Sequence, residues 1–150
     1  MNLVRLIYAS HKTEFWNDLE LGKLLESAQR FNKAKNLTGM LYFNRKYFLQ
    51  CIEGQRDDVS ALYSEIVKDK RHRDVQILAF EEIDEREMEH WNMCYLPDSQ
   101  VTQSMVLKYT NGTDFDPFSM TGRGALNFML NASRQLKASQ RDVAEKPAGH

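Results

Sequence analysis

Cysteine, proline and glycine are all scarce in this sequence. Its 150 residues include two cysteines, three prolines and seven glycines. Cys51 and Cys94 lie far apart and form no C-x-x-C pair, so a disulfide scaffold and a cysteine-built zinc site are both poorly supported. No low-complexity linker interrupts residues 1–96, and we therefore interpret them as one folded unit.

An excess of charge of one sign is also missing. Twenty Lys and Arg residues stand against twenty-one Asp and Glu residues, a formal net charge of −1. This balance gives no global attraction for nucleic acid or an anionic membrane, and no apolar run is long enough to cross a bilayer. The opening residues MNLVRLIYAS lack the layout of a secretory signal. We therefore expect a cytoplasmic protein with reduced thiols and no direct nucleic-acid or membrane partner.

Hydrophobic periodicity predicts the element order βαββαββ over residues 1–96. Split βαβ units of this kind build an α+β, ferredoxin-like sheet with both helices on one face. We expect a ligand crevice between those helices, and strand 1 beside its crossover partner as parallel neighbours in the sheet centre. The predicted strands cover residues 3–9, 38–43, 46–53, 75–83 and 91–96, and the predicted helices cover residues 17–34 and 55–69.

After Pro97 the pattern predicts a helical extension over residues 97–137, followed by a flexible tail at 138–150. The extension contains a short helix at residues 99–109 and a longer one at 123–137. The longer helix is too short to be stable alone, so its apolar stripe must pack on the outer sheet face or in a homo-oligomer interface. That stripe contains Ala125, Phe128, Met129, Ala132 and Leu136.

Four polar side chains fall where the pattern favours apolar ones: Tyr8, Asn32, Gln50 and Asp69. Burying such groups without partners costs roughly 1–3 kcal/mol each, so they must satisfy each other, the backbone, water or a ligand. Each alone is explained by a cap or a core hydrogen bond. Together they favour a flat heteroaromatic ligand, with Asp69 better suited to orient Arg71 than to touch the ring.

Other chemical signals are weaker. The four histidines have neither metal-ligand spacing nor a paired carboxylate, so we expect no metal site. Cys51 alternates onto the face opposite Gln50, and no acid/base pair is suited to an enzyme. The basic cluster Lys68, Lys70, Arg71 and Arg73 is interpreted either as a solvated helix end or as a phosphate contact.

Five segments in order resemble the BLUF domain, a ferredoxin-like blue-light sensor that uses flavin. They are RLIYAS at 5–10, an asparagine followed by TGML at 32–41, FLQ-x-x-EG at 48–54, D-x-RH at 69–72 and W-x-M at 91–93. The segment FDPFSMT at 115–121, with the helix that follows, is similar to the short single-domain members. The resemblance therefore implies a sensor without an enzymatic domain of its own.

The resemblance also implies roles for individual residues. Tyr8 matches the photoactive tyrosine, Gln50 the glutamine that bridges it to the flavin, and Asn32 the asparagine at the polar ring edge. Trp91 and Met93 match a signal-relay pair on the last strand. The remaining expected contacts are Asp69, Arg71 and His72 near the C2 carbonyl, and the apolar walls Ile7, Leu24, Leu25, Leu41, Phe48 and Ile66.

The implied cofactor is oxidised flavin held non-covalently, with FAD expected and FMN or riboflavin left open. Glu65 stands where some members have an arginine for the flavin tail, so Lys68 or Arg73 would have to replace it. Phe31 stands where many members have a polar residue. The implied mechanism is light-driven electron and proton transfer from Tyr8 through Gln50, with output to a downstream signalling protein. A flavin-free interaction module and a flavin redox enzyme remain the alternatives.

Overall fold

The computed structural model describes residues 2–17, 26, 30–95 and 100–145. Helical backbone at residues 30–34 matches the end of the first predicted helix, whose earlier part, with Leu24 and Leu25, lies outside the described residues. The strands are β1 Leu3–Lys12, β2 Thr38–Phe43, β3 Tyr47–Gln55, β4 His72–Glu82 and β5 Trp91–Tyr95, and the complete helices are α1 Arg56–Lys68, α2 Gln100–Leu107 and α3 Gly122–Glu145, with a 3₁₀ turn at Pro117–Ser119.

The five strands form one sheet in the order β4-β1-β3-β2-β5. β1 is antiparallel to β3 and β4, β2 is antiparallel to β3, and β2 is parallel to β5. The ferredoxin-like α+β prediction is confirmed. The expected parallel pairing of strand 1 with its crossover partner is wrong, because the β2–β3 hairpin inserts β3 between them.

Strand alternation gives the sheet two different faces. The inner face, packed by α1, buries Val4, Leu6, Tyr8 and Ile52 against Val59. The outer face buries a second cluster beneath α2 and α3. Its members include Ile7, Tyr42, Leu49, Cys51, Met105, Val106, Phe128 and Met129.

The long C-terminal helix packs on the outer face, the first of the two surfaces considered for it. Of its predicted stripe, the four residues Ala125, Phe128, Met129 and Ala132 are fully buried. The Tyr42 hydroxyl donates to the Met129 carbonyl at 2.9 Å and ties the helix to β2. The helix is longer than predicted and runs to Glu145, while the proposed domain boundaries remain predictions.

The connection from β4 to β5 crosses the whole width of the sheet. These two strands occupy opposite edges of the sheet, so residues 83–90, the crossing segment, pass over β1, β3 and β2. Met88 of this segment is buried in the outer cluster, which shows that the path lies on the outer face. Among the described helices, none has the length and apolar character of a membrane span.

Candidate functional site

Tyr8 and Gln50 face each other at the centre of the inner face. They are direct neighbours in the β1–β3 register, and the Tyr8 hydroxyl donates to Gln50 Oε1. Both side chains are buried. Burial, reinforced by the charge of Asp69, raises the pKa of Tyr8 well above its ordinary value, so the phenol stays neutral and keeps its proton. The pair joins an oxidisable ring to a planar amide that has both a donor and an acceptor end.

Asn32 supplies the most direct sign of a ligand-binding site. Its side chain is only 2% exposed, and among the described residues Oδ1 of Asn32 is the buried side-chain polar atom without a hydrogen-bond partner. Its backbone carbonyl instead accepts from Leu37 N at 2.7 Å and closes the helical turn. Buried amide oxygens rarely stay unpaired, so this atom fits a ligand that presents an N–H group.

His72 is held at the rim by both of its ring nitrogens. Nε2 contacts the Ile66 carbonyl at 2.5 Å and Nδ1 contacts Ser10 Oγ at 2.9 Å. Because a carbonyl only accepts, Nε2 carries a proton and donates to the end of α1. His72 thus joins β4 to α1 beside Tyr8, at 6.2 Å between ring centroids. Its contact with a cofactor stays a prediction, and the role of buried Ser10 was not predicted.

Asp69 and Arg71 form a tight pair just beyond α1. The Arg71 guanidinium Nε donates to both carboxylate oxygens of Asp69, at 2.9 and 3.0 Å, and the Arg71 backbone N–H donates at 2.9 Å. The hydrogen bond from Arg71 lowers the pKa of the Asp69 carboxyl, although partial burial opposes this. The structure thus pairs Asp69 with Arg71, and the expectation that Asp69 orients Arg71 rather than touching a flavin ring stays a prediction.

The predicted apolar walls separate into three groups. Leu41 and Phe48 are buried on the inner face in a cluster with Phe43 and Trp16, and Ile66 packs against the cluster that contains Tyr8. Ile7 lies in the outer cluster, so its placement in the pocket is wrong, because adjacent strand residues point to opposite faces.

The predicted relay strand is β5, and the structure describes its backbone. The parallel register places Trp91 opposite Gly39 and Met93 opposite Leu41, which brings β5 alongside the inner-face wall. The side chains of Trp91 and Met93 lie outside the described residues, and their role stays a prediction.

The charged residues that the sequence offers for binding a flavin tail are exposed, and each lies near a side chain of opposite charge. The side chain of Glu65 is 75% exposed and lies 3.6 Å from Lys68, while Arg73 pairs with Asp74. Phe31 is 49% exposed. The structure therefore brings Tyr8 and Gln50 together and buries Asn32, and it leaves the tail contacts as predictions.

A family model described as "Sensors of blue-light using FAD", BLUF, matches residues 3–94. Among curated proteins, the photoactivated adenylate cyclase subunit alpha of Euglena gracilis is 36% identical over 84 residues, which is 56% of this chain and 8% of that protein. The blue light- and temperature-regulated antirepressor BluF of Escherichia coli (strain K12) is 33% identical over 73 residues, 49% of this chain and 18% of that protein. This chain thus spans less than a fifth of either relative.

Solved structures match over nearly the whole chain. The photo-activated state of BlsA superposes with a TM-score of 0.73 at 33% identity, covering 87% of this chain and 93% of that one. The BlsA ground state superposes with a TM-score of 0.71 at 32% identity, covering 86% of this chain and 85% of that one. The dark-state structure of the BLUF protein BlrB superposes with a TM-score of 0.71 at 21% identity, covering 92% of this chain and 97% of that one. At that identity it supports the fold alone.

Proposed function

The chain belongs to the BLUF family of flavin-binding blue-light sensors, and we propose that it binds oxidised FAD non-covalently on the inner face and signals through Gln50. The observation that carries this proposal is the buried, unpaired Oδ1 of Asn32, taken together with the buried Tyr8–Gln50 hydrogen bond. An imide N–H of the flavin ring would satisfy Asn32, and the ring carbonyls would accept from the amide of Gln50. FMN and riboflavin carry the same ring.

When bound, the flavin supplies blue-light absorption and an electron acceptor next to the phenol. Leu41 and Phe48 would cover the apolar part of the ring, and Asn32 and Gln50 would fix its polar edge. Burial keeps water from Tyr8, whose exposed fraction is 3%. The site therefore offers orientation and a dry environment, and we find no acid/base pair for a turnover reaction among the described residues.

Tyr8 is the proposed electron and proton donor. Its hydroxyl donates to Gln50 Oε1, so the phenolic proton has an acceptor in place when an electron leaves the ring. The electron and the proton later return to Tyr8, and no substrate is consumed. What persists is a rotated or tautomerised Gln50 amide, which exchanges donor for acceptor without moving the backbone. One or two altered hydrogen bonds of about 1 kcal/mol each can bias two arrangements of a neighbouring strand.

Output is proposed to pass to a downstream protein, with a second copy of the chain as a further partner. The relatives named as cyclases or as an antirepressor are much longer than this chain, and the family match covers the sensor alone. Light would act on β5, with Trp91 and Met93 as the proposed relay, and through it on the helices of the outer face. We propose a cytoplasmic sensor rather than an enzyme.

The decisive variant is Tyr8→Phe, which keeps the ring and removes the hydroxyl that donates to Gln50. We expect purified protein to remain yellow and to lose the light-induced red shift of its absorption spectrum. Tyr63→Phe is the matched control, because the Tyr63 ring packs edge-on against Tyr8 at 6.1 Å, and it should keep the shift.

A normal red shift in Tyr8→Phe would remove Tyr8 from the mechanism. A colourless wild-type protein that takes up no added flavin would instead favour the interaction-module alternative. Chromatography of the flavin released on denaturation would distinguish FAD, FMN and riboflavin.

A further inference from the structure

A row of polar side chains crosses the outer face at one level of the sheet. The strand registers pair Arg5 with Glu81 on one side and with Glu53 on the other, and pair Glu53 with Thr38. Arg5 Nε and Nη2 each lie 2.9 Å from Glu53 Oε2, and Arg5 Nη1 lies 3.0 Å from Glu81 Oε1. Burial opposes the charge of Arg5, but these two carboxylates raise its pKa. Glu53 is fully buried, whereas the Glu81 side chain is 52% exposed.

The crossing segment is fastened to this row. Glu53 Oε1 accepts the Met88 N–H at 2.7 Å and the Glu87 N–H at 3.0 Å. Arg86 Nη1 donates to Thr38 Oγ1 at 2.8 Å and to the Glu53 carbonyl at 3.0 Å. Glu53 therefore holds two consecutive N–H groups of a segment that has no regular secondary structure of its own.

The crossing segment is not much longer than the path that it must follow across the sheet. Four strand spacings separate β4 from β5 and take about 19 Å, and the chain from Glu82 to Trp91 reaches roughly 30 Å when fully extended. The segment must also rise over the sheet and return to it. It ends where the Gly39 N–H donates to the His90 carbonyl at 3.0 Å and β5 begins to pair with β2. The position of β5 therefore depends on where the segment is fastened.

The fastening point and the photochemical amide share one strand. Gln50 projects to the inner face of β3, and Glu53 projects to the outer face three residues later. A small shift of β3 that accompanies a change at Gln50 moves the Glu53 carboxylate with it, since both are fixed to the same backbone. The crossing segment then receives that shift directly.

We propose that Glu53 is a positioning residue, which couples Gln50 to β5 by holding the N–H groups of Glu87 and Met88. This proposal rests on the proposed light-sensing function of the inner face. It assigns the outer-face row a role in signalling in addition to its role in stability. The path runs from Gln50 along β3 to Glu53, through the crossing segment, and into β5.

Hydrogen exchange with mass spectrometry on the full flavin-loaded chain, in the dark and under blue light, tests this path. Glu53→Gln keeps one acceptor but places an amide donor against Arg5. Arg86→Gln loosens the segment without changing the Glu53 side chain, and carries the test if Glu53→Gln fails to fold. Glu81→Gln is the matched control, because it neutralises the other carboxylate beside Arg5 by the same substitution and leaves the segment contacts in place.

In the two test variants we expect a normal light-induced absorption shift, about tenfold faster dark exchange over residues 86–95, and no light–dark difference there. Glu81→Gln should behave like the wild type. The proposal is overturned if both variants exchange at the wild-type rate, or if both keep the wild-type light–dark difference. It is also overturned if wild-type protein shows the absorption shift without any exchange change over residues 86–95. Absence of the absorption shift in wild-type protein would contradict the proposed function, and the dark exchange rates would then still decide whether Glu53 positions β5.

Discussion

The buried polar groups on the two sides of this sheet differ in whether their hydrogen-bond partners are present. Tyr8 and Gln50 share a hydrogen bond on the inner face, and the buried Oδ1 of Asn32, in the helical turn that precedes β2, has no partner among the described residues. On the outer face, Glu53 accepts from Arg5 and from two backbone N–H groups. The proposed flavin site thus retains a buried acceptor without a described partner, whereas the charged side chains of the outer row are paired with each other.

The difference follows from charge. A hydrogen bond between neutral groups such as amides and phenols contributes only about 1 kcal/mol to stability. Such groups can therefore change partners at a small cost in free energy, which suits a site that must rearrange. A buried charge that loses its partner costs several kcal/mol, so it suits a site that must stay fixed. One strand, β3, carries a group of each kind, Gln50 and Glu53, on opposite faces.

The largest expected effect is on the outer row. Glu53→Ala leaves Arg5 with only an exposed carboxylate and removes the acceptor of Glu87 N and Met88 N, so we expect the free energy of unfolding to fall by about 3–5 kcal/mol. Urea denaturation followed by circular dichroism, at matched flavin saturation, measures it.

The control for this variant is Glu81→Ala, which removes a half-exposed partner of the same arginine and should cost about 1 kcal/mol or less. Equal losses in the two variants would show that the outer row is an ordinary surface ion pair. The contrast between the faces would then disappear.

At the proposed flavin site we expect a substitution to weaken flavin binding without lowering the free energy of unfolding. Asn32→Leu replaces an amide whose buried Oδ1 has no described partner by an apolar side chain of similar size, so the flavin-free protein should unfold at the same or slightly higher urea concentration. Flavin binding should weaken about tenfold, since a hydrogen bond to the ring edge is lost. Fluorescence titration of the flavin measures the affinity, with the exposed neighbour Lys33→Ala as the control. An unchanged affinity together with a large loss of stability would mean that Asn32 is a structural residue.

Local patterns were sufficient for most elements and for the centre of the site. Alternation in β1 and β3 put Tyr8 and Gln50 on one face, and helical spacing placed Asn32 on the buried stripe, because each inference needs only neighbours in sequence. The same alternation excludes Ile7 from that face, and the structure places it in the outer cluster accordingly. The expected parallel pairing of strand 1 with its crossover partner failed for another reason, since the position of a hairpin in a sheet depends on pairing over long sequence distances.

The outer row could not be found from local periodicity. Arg5 and Glu53 are separated by 48 positions, and only the β1–β3 register makes them neighbours. A signal was nevertheless present, because each is a charged residue inside an otherwise apolar strand. Two opposite charges in two strands that are predicted to be buried suggest a buried ion pair, and such a pair is enough to define the β1–β3 register.

The smallest expected effect lies at the rim, where the comparison between the faces is weakest. Asp69 is neither fully buried nor unpaired: its side chain is 31% exposed and that of Arg71 is 35% exposed. Hydrogen bonding from Arg71 lowers the pKa of Asp69 from the ordinary value of 3.8. A carboxyl whose pKa is lowered by folding stabilises the native state above its ordinary pKa, and that stabilisation is lost as the pH falls through the lowered value.

Asp69→Asn should therefore reduce the free energy of unfolding by less than about 1 kcal/mol near neutral pH, since solvent screens the pair. The difference from wild type should shrink as the pH falls from about 5 through the lowered pKa of Asp69, and also in about 0.5 M salt. Urea unfolding curves of the two proteins across this range provide the measurement. A difference that grows toward low pH would mean that the protonated carboxyl of Asp69 is the stabilising form, and Asp69 would then belong with the neutral, exchangeable groups of the inner face.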